Sequence, residues 1–261
     1  MLVFFHIPKT GGLTFLQIMS AHYPEDAILD ARDERALSRL KKMDSQHIGA
    51  YKVLSGHIPF SVLGLCPKDS MIITFLRDPL DNCLSLYNYE VARYQINVKI
   101  EDSYLCNQDA NDFQTRHILG RELADVDEDI EEAIFRLENH VSFTGITELF
   151  DQSILLLSKK LNWRTIIYKR FNVGNYDKNS YHPSVLEKIE EFSLRDRAIY
   201  SYMKKKLSNV ILNQDHIFTK ALLEYKFLLH EASMGRGGDT GQENSTFDLN
   251  LSEFLENYLS S

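Results

Sequence analysis

The chain has 261 residues, of which 44% are hydrophobic and 25% are charged, a composition that predicts a globular protein with one good core. A formal net charge of -8 excludes the broad basic field of a nucleic-acid-binding protein, so nucleic acid is not an expected partner. Three cysteines without a Cys-x-x-Cys pair predict neither a disulfide framework nor a zinc site, and no apolar run reaches transmembrane length. We therefore expect a reduced, cytoplasmic protein with no integral membrane segment.

The first element is a short apolar strand, Leu2–Phe5, which runs into a Pro-Lys-Thr-Gly-Gly turn at 8–12 and then a helical pattern at 14–21. Backbone N–H groups at a helix N-terminus attract an anion, and Lys9 adds a full positive charge. The turn therefore predicts a phosphate or sulfate site. It is not a Walker A loop, because the lysine precedes the glycines. The alternative is a tight strand–helix turn with an exposed lysine.

Strand and helix patterns alternate along the rest of the chain. Strands are predicted at 51–54, 71–76, 141–145 and 165–169, and helices at 33–43, 80–91, 113–119, 129–137 and 147–161. The run at 71–76 is continuously apolar, which is typical of a parallel strand covered on both faces. Together with the mostly helical chain after Ser184, this order predicts an α/β fold in three layers, with a central, mainly parallel sheet flanked by helices.

A second motif, Arg77-Asp78-Pro79, follows the strand at 71–76. Asp78 is a natural N-cap and Pro79 a natural first helical residue. Arg77 at the strand end and Ser85 in the next helix can both reach an anion near the helix start. The alternative is a capped helix with a surface salt bridge.

The turn His6-Ile7-Pro8-Lys9-Thr10-Gly11-Gly12, followed by Arg77-Asp78-Pro79 with Ser85 and Tyr87, resembles the sulfotransferases that use 3'-phosphoadenosine-5'-phosphosulfate (PAPS). The most similar branch contains heparan sulfate 2-O-sulfotransferase and its bacterial relatives. The stretch 114–120 is similar to a Thr-Arg-x-Leu-x-Gly motif of the bacterial members. The resemblance implies a P-loop-like fold and a sulfotransferase domain over 1–232.

In this family the first turn holds the 5'-phosphosulfate, and the arginine and serine of the second motif hold the 3'-phosphate. The resemblance thus assigns cofactor contacts to Lys9, Thr10, Gly11, Gly12, Leu13, Thr14, Arg77 and Ser85, and to Arg170 and Asn172 at a late loop. Two positions depart from the family pattern. Leu13 stands where relatives often carry Thr or Ser, and Asn82 stands where many carry a second arginine.

A third motif, Ser55-Gly56-His57, lies between the two anion motifs. In the 2-O-sulfotransferase branch a histidine in this position is the catalytic base. An imidazole suits that role because its pKa lies near neutrality. Lys9 is the second expected catalytic residue. The alternative for His57 is a histidine that hydrogen-bonds a loop, whereas His6 is expected to shape the turn and His117 to contact substrate or pack in a helix.

The expected activity is transfer of a sulfuryl group from PAPS to an acceptor hydroxyl, which the family implies is on a carbohydrate, without a metal. Two alternatives stay open: a P-loop-type kinase that uses ATP and magnesium, and a non-catalytic nucleotide-binding protein of the same fold. Beyond the domain, the glycine-rich segment 233–246 predicts a flexible linker, and 247–261 predicts a docking helix or a mobile tail.

Overall fold

The computed structural model describes residues 1–95, 99–100, 111–164, 166–168, 177–234 and 258–259. Its described strands form one parallel sheet of five strands in the order β2-β3-β1-β4-β5. They are β1 (Leu2–Phe5), β2 (Ile28–Ala31), β3 (Val53–Gly56), β4 (Met71–Leu76) and β5 (Phe143–Ile146). The prediction of an α/β fold around a mainly parallel sheet is confirmed.

Helices connect the strands and make up the later part of the chain. The described helices are α1 (Gly12–Ser20), α2 (Glu34–Leu40), α3 (Ser45–Gly49), α4 (Pro79–Tyr94), α5 (Phe113–Leu119), α6 (Val126–Asn139), α7 (Phe150–Leu161), α8 (Pro183–Glu191), α9 (Leu194–Leu212) and α10 (His216–Ser233). No helix in the described ranges combines the length and the apolar character that a membrane span requires.

Strand β1 is the centre of the sheet, and its sequence explains why. All four of its residues are buried, and Leu2 lies in register with Val53 of β3 on one side and Met71 of β4 on the other. A central parallel strand is covered on both faces, which demands a continuous apolar run. The chain goes from β1 to β2 and β3 on one side and then crosses to β4 and β5. The strand order therefore reverses between β1 and β4, where open α/β sheets form their ligand crevice.

The bounds of β1, β4 and α5 match the predictions, and the Asp78 carboxylate caps α4 as predicted by accepting the Asp81 N–H. The strand predicted at 165–169 is not a strand over 166–168, and 165 and 169 lie outside the described residues. Strand β2 was not predicted, because its polar Asp30 interrupts a short apolar run. As an edge strand paired only with β3, it needs less apolar surface than β1.

The described residues divide into two compact units. The first contains the whole sheet, α2–α6, α8 and the start of α9. The second contains α1 after Gly12, α7, the end of α9 and α10, and its Trp163 ring stacks on His22 with 4.7 Å between the centroids. Of the segments predicted as linker and tail, only 233–234 and 258–259 are described, and Tyr258 donates a hydrogen bond to the Leu155 carbonyl at 3.1 Å.

Two carboxylates cap each other's helices in the first unit. Asp196, in the first turn of α9, accepts hydrogen bonds from the backbone N–H groups of Gln114 (3.0 Å) and Thr115 (2.7 Å) at the start of α5. Asp112, the N-cap of α5, accepts from the N–H groups of Arg195 (2.8 Å) and Asp196 (3.0 Å). Burial raises the pKa of Asp196 to about 6, against the effect of its hydrogen bonds. This reciprocal capping fixes the start of α5, which contributes to the site.

We predict that Asp196→Asn lowers the free energy of unfolding by about 1–3 kcal/mol, because an amide leaves one buried N–H of α5 without an acceptor. Chemical denaturation at pH 7.5 measures the loss. The matched control is Asp125→Asn at the exposed N-cap of α6, where asparagine caps about as well as aspartate. Equal, small effects of both substitutions would contradict the reciprocal capping.

Candidate functional site

The turn after β1 is closed by its own side chain. The Thr10 hydroxyl donates to the Ile7 carbonyl at 2.8 Å, and Thr10 is fully buried. Lys9 and Gly11 adopt positive φ angles of 67° and 86°, and α1 begins immediately afterwards at Gly12. Because its hydroxyl proton is used inside the turn, Thr10 offers a ligand its backbone N–H rather than its side-chain donor.

The backbone N–H groups of this turn are open. Among the described residues no carbonyl or side chain accepts from the N–H groups of Lys9, Thr10 or Gly11. Successive N–H groups in a turn with a left-handed residue, followed by a helix N-terminus, form an anion-binding concavity. Gly12 is required there for space, since a Cβ atom would lie 1.8 Å from Nε2 of His6.

The carbonyls of the same turn are held by side chains from distant parts of the chain. Three successive carbonyls, those of residues 8–10, each accept one hydrogen bond. The donors are Asn82 Nδ2 to Pro8 O (3.0 Å), Arg77 Nη1 to Lys9 O (3.0 Å) and Thr147 Oγ1 to Thr10 O (2.9 Å). The turn is therefore braced on its carbonyl side while its N–H side stays available.

The hydrogen bond from Arg77 brings the two predicted anion motifs together. Arg77 follows β4, Lys9 follows β1, and these strands are neighbours at the point where the strand order reverses. The backbone of Arg77 is itself held by the Gln114 amide, which accepts from Arg77 N at 3.0 Å and donates to Arg77 O at 2.9 Å.

One face of α4 points toward the Lys9 turn. The Asn82 amide donates its hydrogen bond to the Pro8 carbonyl of the turn. The Lys9 ammonium lies 4.3 Å from the ring centroid of Tyr89, a half-exposed residue of the same helix. Ser85, which is buried, is three residues after Asn82 and four before Tyr89, so it shares this helical face. Sequence reasoning named Ser85 and Tyr87, named Asn82 only as a departure from the family pattern, and did not find Tyr89. Tyr87 instead packs against the apolar cluster formed by Leu84, Leu86, Ile100, Val185 and Ile189.

Two positively charged side chains, those of Lys9 and Arg77, lie close together at this junction. Burial, and then the positive charge of Arg77, lower the pKa of Lys9. Among the described residues no carboxylate forms an ion pair with Lys9. A bound anion would relieve the repulsion between the two cations.

His57 follows β3, beside the Lys9 turn. Its ring centroid is 4.7 Å from that of His6, whose ring in turn lies against Gly12. Gly56, at φ 155°, allows the chain to pass β2 closely, since a Cβ atom there would lie 2.4 Å from the backbone of Ala31. His57 is thus joined to the anion turn through His6.

The histidines of this cluster are kept uncharged. Burial lowers the pKa of His6 well below its ordinary value and lowers that of His117 to about 3. The pKa of His57 is lowered by burial and by Arg32, and Asp30 opposes this. Nδ1 of His6 and Nε2 of His117 are buried without a hydrogen-bond partner in the described part of the chain. All three imidazoles are therefore neutral bases at pH 7.

The remaining predicted site residues fall in different places. Leu13 is 44% exposed and Thr14 is buried, both in the first turn of α1. Arg170 and Asn172 lie outside the described residues, so their assignment stays a prediction. Within the described ranges no group of three or more His, Cys, Asp or Glu side chains has an arrangement that could hold a metal ion. No protein-family model matches the sequence, and no curated protein is significantly similar to it. The resemblance to the sulfotransferases therefore rests on the motifs.

We predict that the free energy of unfolding falls as the pH drops from 6.5 toward 3. In this range the histidines become protonated in the unfolded chain, while the buried histidines of the folded chain stay neutral. Each such histidine contributes about 1.4 kcal/mol per pH unit. For His117 the folded pKa of about 3 lies below the unfolded value, so its contribution is present at neutral pH and is lost on acidification.

Denaturation curves at pH 4–7 measure this dependence. His117→Gln should make it shallower by about one proton, or about 1.4 kcal/mol per pH unit. His230→Gln, at an exposed position on α10, should leave the slope unchanged. An unaltered slope in His117→Gln would show that His117 is not held neutral.

Proposed function

We propose that this protein is a PAPS-dependent sulfotransferase with a P-loop-like fold, which transfers a sulfuryl group to a hydroxyl of a carbohydrate acceptor. The observation that supports the proposal most is the Arg77 to Lys9 hydrogen bond, which joins both anion motifs at the strand-order reversal. Nucleotides bind in that crevice in open α/β sheets.

The residues present fit a ligand with phosphate groups at both ends. The open N–H groups of Lys9, Thr10 and Gly11 and the Lys9 ammonium suit the phosphosulfate end. Arg77 and Ser85 suit the 3'-phosphate, and the resemblance adds Arg170 and Asn172. When bound, PAPS supplies the sulfuryl group and leaves as adenosine 3',5'-bisphosphate.

Lys9 and the backbone N–H groups of the turn stabilise the negative charge that develops on the leaving phosphate. They act as a preorganised electrostatic site, because Asn82, Arg77 and Thr147 fix the turn from its carbonyl side. The Lys9 ammonium rests on the Tyr89 ring rather than on a carboxylate, so moving to the anion does not require breaking an ion pair.

His57 takes the proton of the acceptor hydroxyl as the oxygen attacks sulfur. Its lowered pKa keeps the imidazole unprotonated at neutral pH, as a general base requires. His6 and His117 are neutral as well, so they do not add positive charge that would oppose protonation of His57 during the step.

We predict that adenosine 3',5'-bisphosphate raises the Tm, whereas ATP with magnesium raises it little. At 100 times its Kd the bisphosphate should stabilise the folded state by about 2.7 kcal/mol. Arg77→Gln should abolish the shift in Tm, and Arg35→Gln, at an exposed arginine on α2, should retain it.

Transfer from radiolabelled PAPS tests the catalytic role of His57. His57→Ala should bind the bisphosphate normally and lose at least about a hundredfold in turnover. A larger shift with ATP would favour the kinase, and bisphosphate binding without transfer to any acceptor would favour the non-catalytic alternative.

We predict that the pH–rate profile for transfer has an acidic limb, in which kcat/KM decreases with decreasing pH as His57 becomes protonated. Because Arg32 lowers the pKa of His57 while Asp30 opposes it, Arg32→Gln should move this limb to higher pH. Arg35→Gln, with its side chain exposed on the neighbouring helix, is the matched control and should leave the limb in place. The pH–rate profile measures both. A limb that does not move in Arg32→Gln would remove His57 from the role of base.

A further inference from the structure

A cleft of about 500 Å³ opens beside the histidine cluster, within the first unit. Its walls come from the 3-10 helix Phe60–Leu65 after β3, the end of α5 and the end of α6. Its volume lies in the range of small-molecule sites. The proposed chemistry at Lys9, Arg77 and His57 uses none of its lining residues.

Three aromatic rings meet at the cleft. The His140 ring is edge-on to Phe60, with 6.0 Å between centroids, and edge-on to Phe135, with 5.9 Å between centroids. Phe135 is 58% exposed, whereas the other large apolar residues of α6 are buried or partly buried. A phenyl ring held at the mouth of a cleft by a neighbouring ring presents a flat apolar face to a ligand.

The polar groups of the cleft are charged but mutually paired. Arg136 covers the Phe60 ring at 4.9 Å, donates to the carbonyls of Ile118 (3.0 Å) and Leu119 (2.8 Å), and pairs with Glu132. Glu132 also accepts from Arg121, which pairs with the buried Asp129. In the described part of the lining, the arginine Arg136 thus has protein partners for its guanidinium. The wall offers hydrogen-bonding groups without a free positive charge.

The lining of the cleft begins two residues after the proposed catalytic base, His57, at Pro59. Phe60 is three residues after His57, and its ring is edge-on to Phe5 at 5.6 Å. Phe5 also contacts the ring of His117 at 5.1 Å. Helix α5 therefore places His117 in the histidine cluster and its own C-terminus in the cleft. Phe60 and α5 are therefore the described parts of the chain that connect the cleft with the histidine cluster.

We propose that this cleft binds an uncharged sugar ring of the acceptor, next to the hydroxyl that reacts. The apolar C–H face of a pyranose packs on Phe135, and its rim hydroxyls hydrogen-bond Glu132 and Ser61. A purely apolar ligand would remove water from the paired Glu132 and Arg136 charges without replacing its hydrogen bonds, and a polysulfated sugar finds no unpaired cation in the described lining. The reacting-hydroxyl part of this inference rests on the proposed function; the sugar site itself does not.

The probes are four uncharged disaccharides, maltose, cellobiose, lactose and diacetylchitobiose, measured by saturation-transfer NMR and titration with the full chain and no nucleotide. We expect at least one to bind. Phe135→Ala should weaken that binding about tenfold, and Phe135→Trp should restore it. Phe227→Ala, an equally exposed phenylalanine on α10, should bind as the unmodified chain does. Circular dichroism and the Tm check that each variant is folded.

Each outcome decides one proposal. Absence of binding to all four sugars, equal losses in Phe135→Ala and Phe227→Ala, or binding of a sulfated heparin disaccharide alone would overturn the sugar site. Displacement of the sugar by adenosine would overturn it too, because the cleft would then hold the nucleotide. The chain could also bind a sugar in a way that depends on Phe135 and yet not bind adenosine 3',5'-bisphosphate. That result would support the sugar site and contradict the sulfotransferase function.

Discussion

The hydrogen bond from the Arg77 guanidinium to the Lys9 carbonyl joins the two anion motifs of the candidate site. It holds Arg77 beside Lys9, and burial, and then this neighbouring positive charge, lower the pKa of Lys9. The fold supports this unfavourable pairing because Asn82 and Thr147 hold the flanking carbonyls of the same turn. A site that is braced before its ligand arrives does not have to reorganise when negative charge develops, which is the main source of electrostatic catalysis.

The neutral state of the three histidines follows from the same concentration of positive charge. His6 lies against Gly12, the first residue of α1, where the helix dipole is positive. A protonated imidazole there would repel both the helix end and Lys9, so burial and the local charge act in one direction. The cluster can therefore sit beside two cations only as long as it is neutral. A neutral His57 is also the form that accepts a proton, so the electrostatic requirement of the fold and the chemical requirement of the base coincide.

The sequence predicts those parts of the site that depend on residues close together in the chain. A continuous apolar run predicts β1 and β4, and Asp78-Pro79 predicts the start of α4, because capping and sheet burial depend on residues close in the chain. The braces of the turn have no such signal. Asn82 lies 74 residues from Pro8 and Thr147 lies 137 residues from Thr10, so only the folded topology brings them together. Asn82 reads as a loss when compared with the family motif, whereas in the structure its amide holds the turn.

Strand β1 connects a positively charged region to one whose charges are paired. Its backbone continues into the Lys9 turn, where open N–H groups and the Lys9 ammonium lie beside the carboxyl end of β4. Its last side chain, Phe5, contacts Phe60 and His117, and Phe60 also packs under Arg136, whose charge is neutralised by Glu132. Charge thus favours a phosphorylated molecule at the Lys9 turn and not at the cleft beside Phe60. His57 follows β3, which is paired with β1. The proposed transfer reaction would use this difference in charge, since a donor that could bind in both places would exclude its own acceptor.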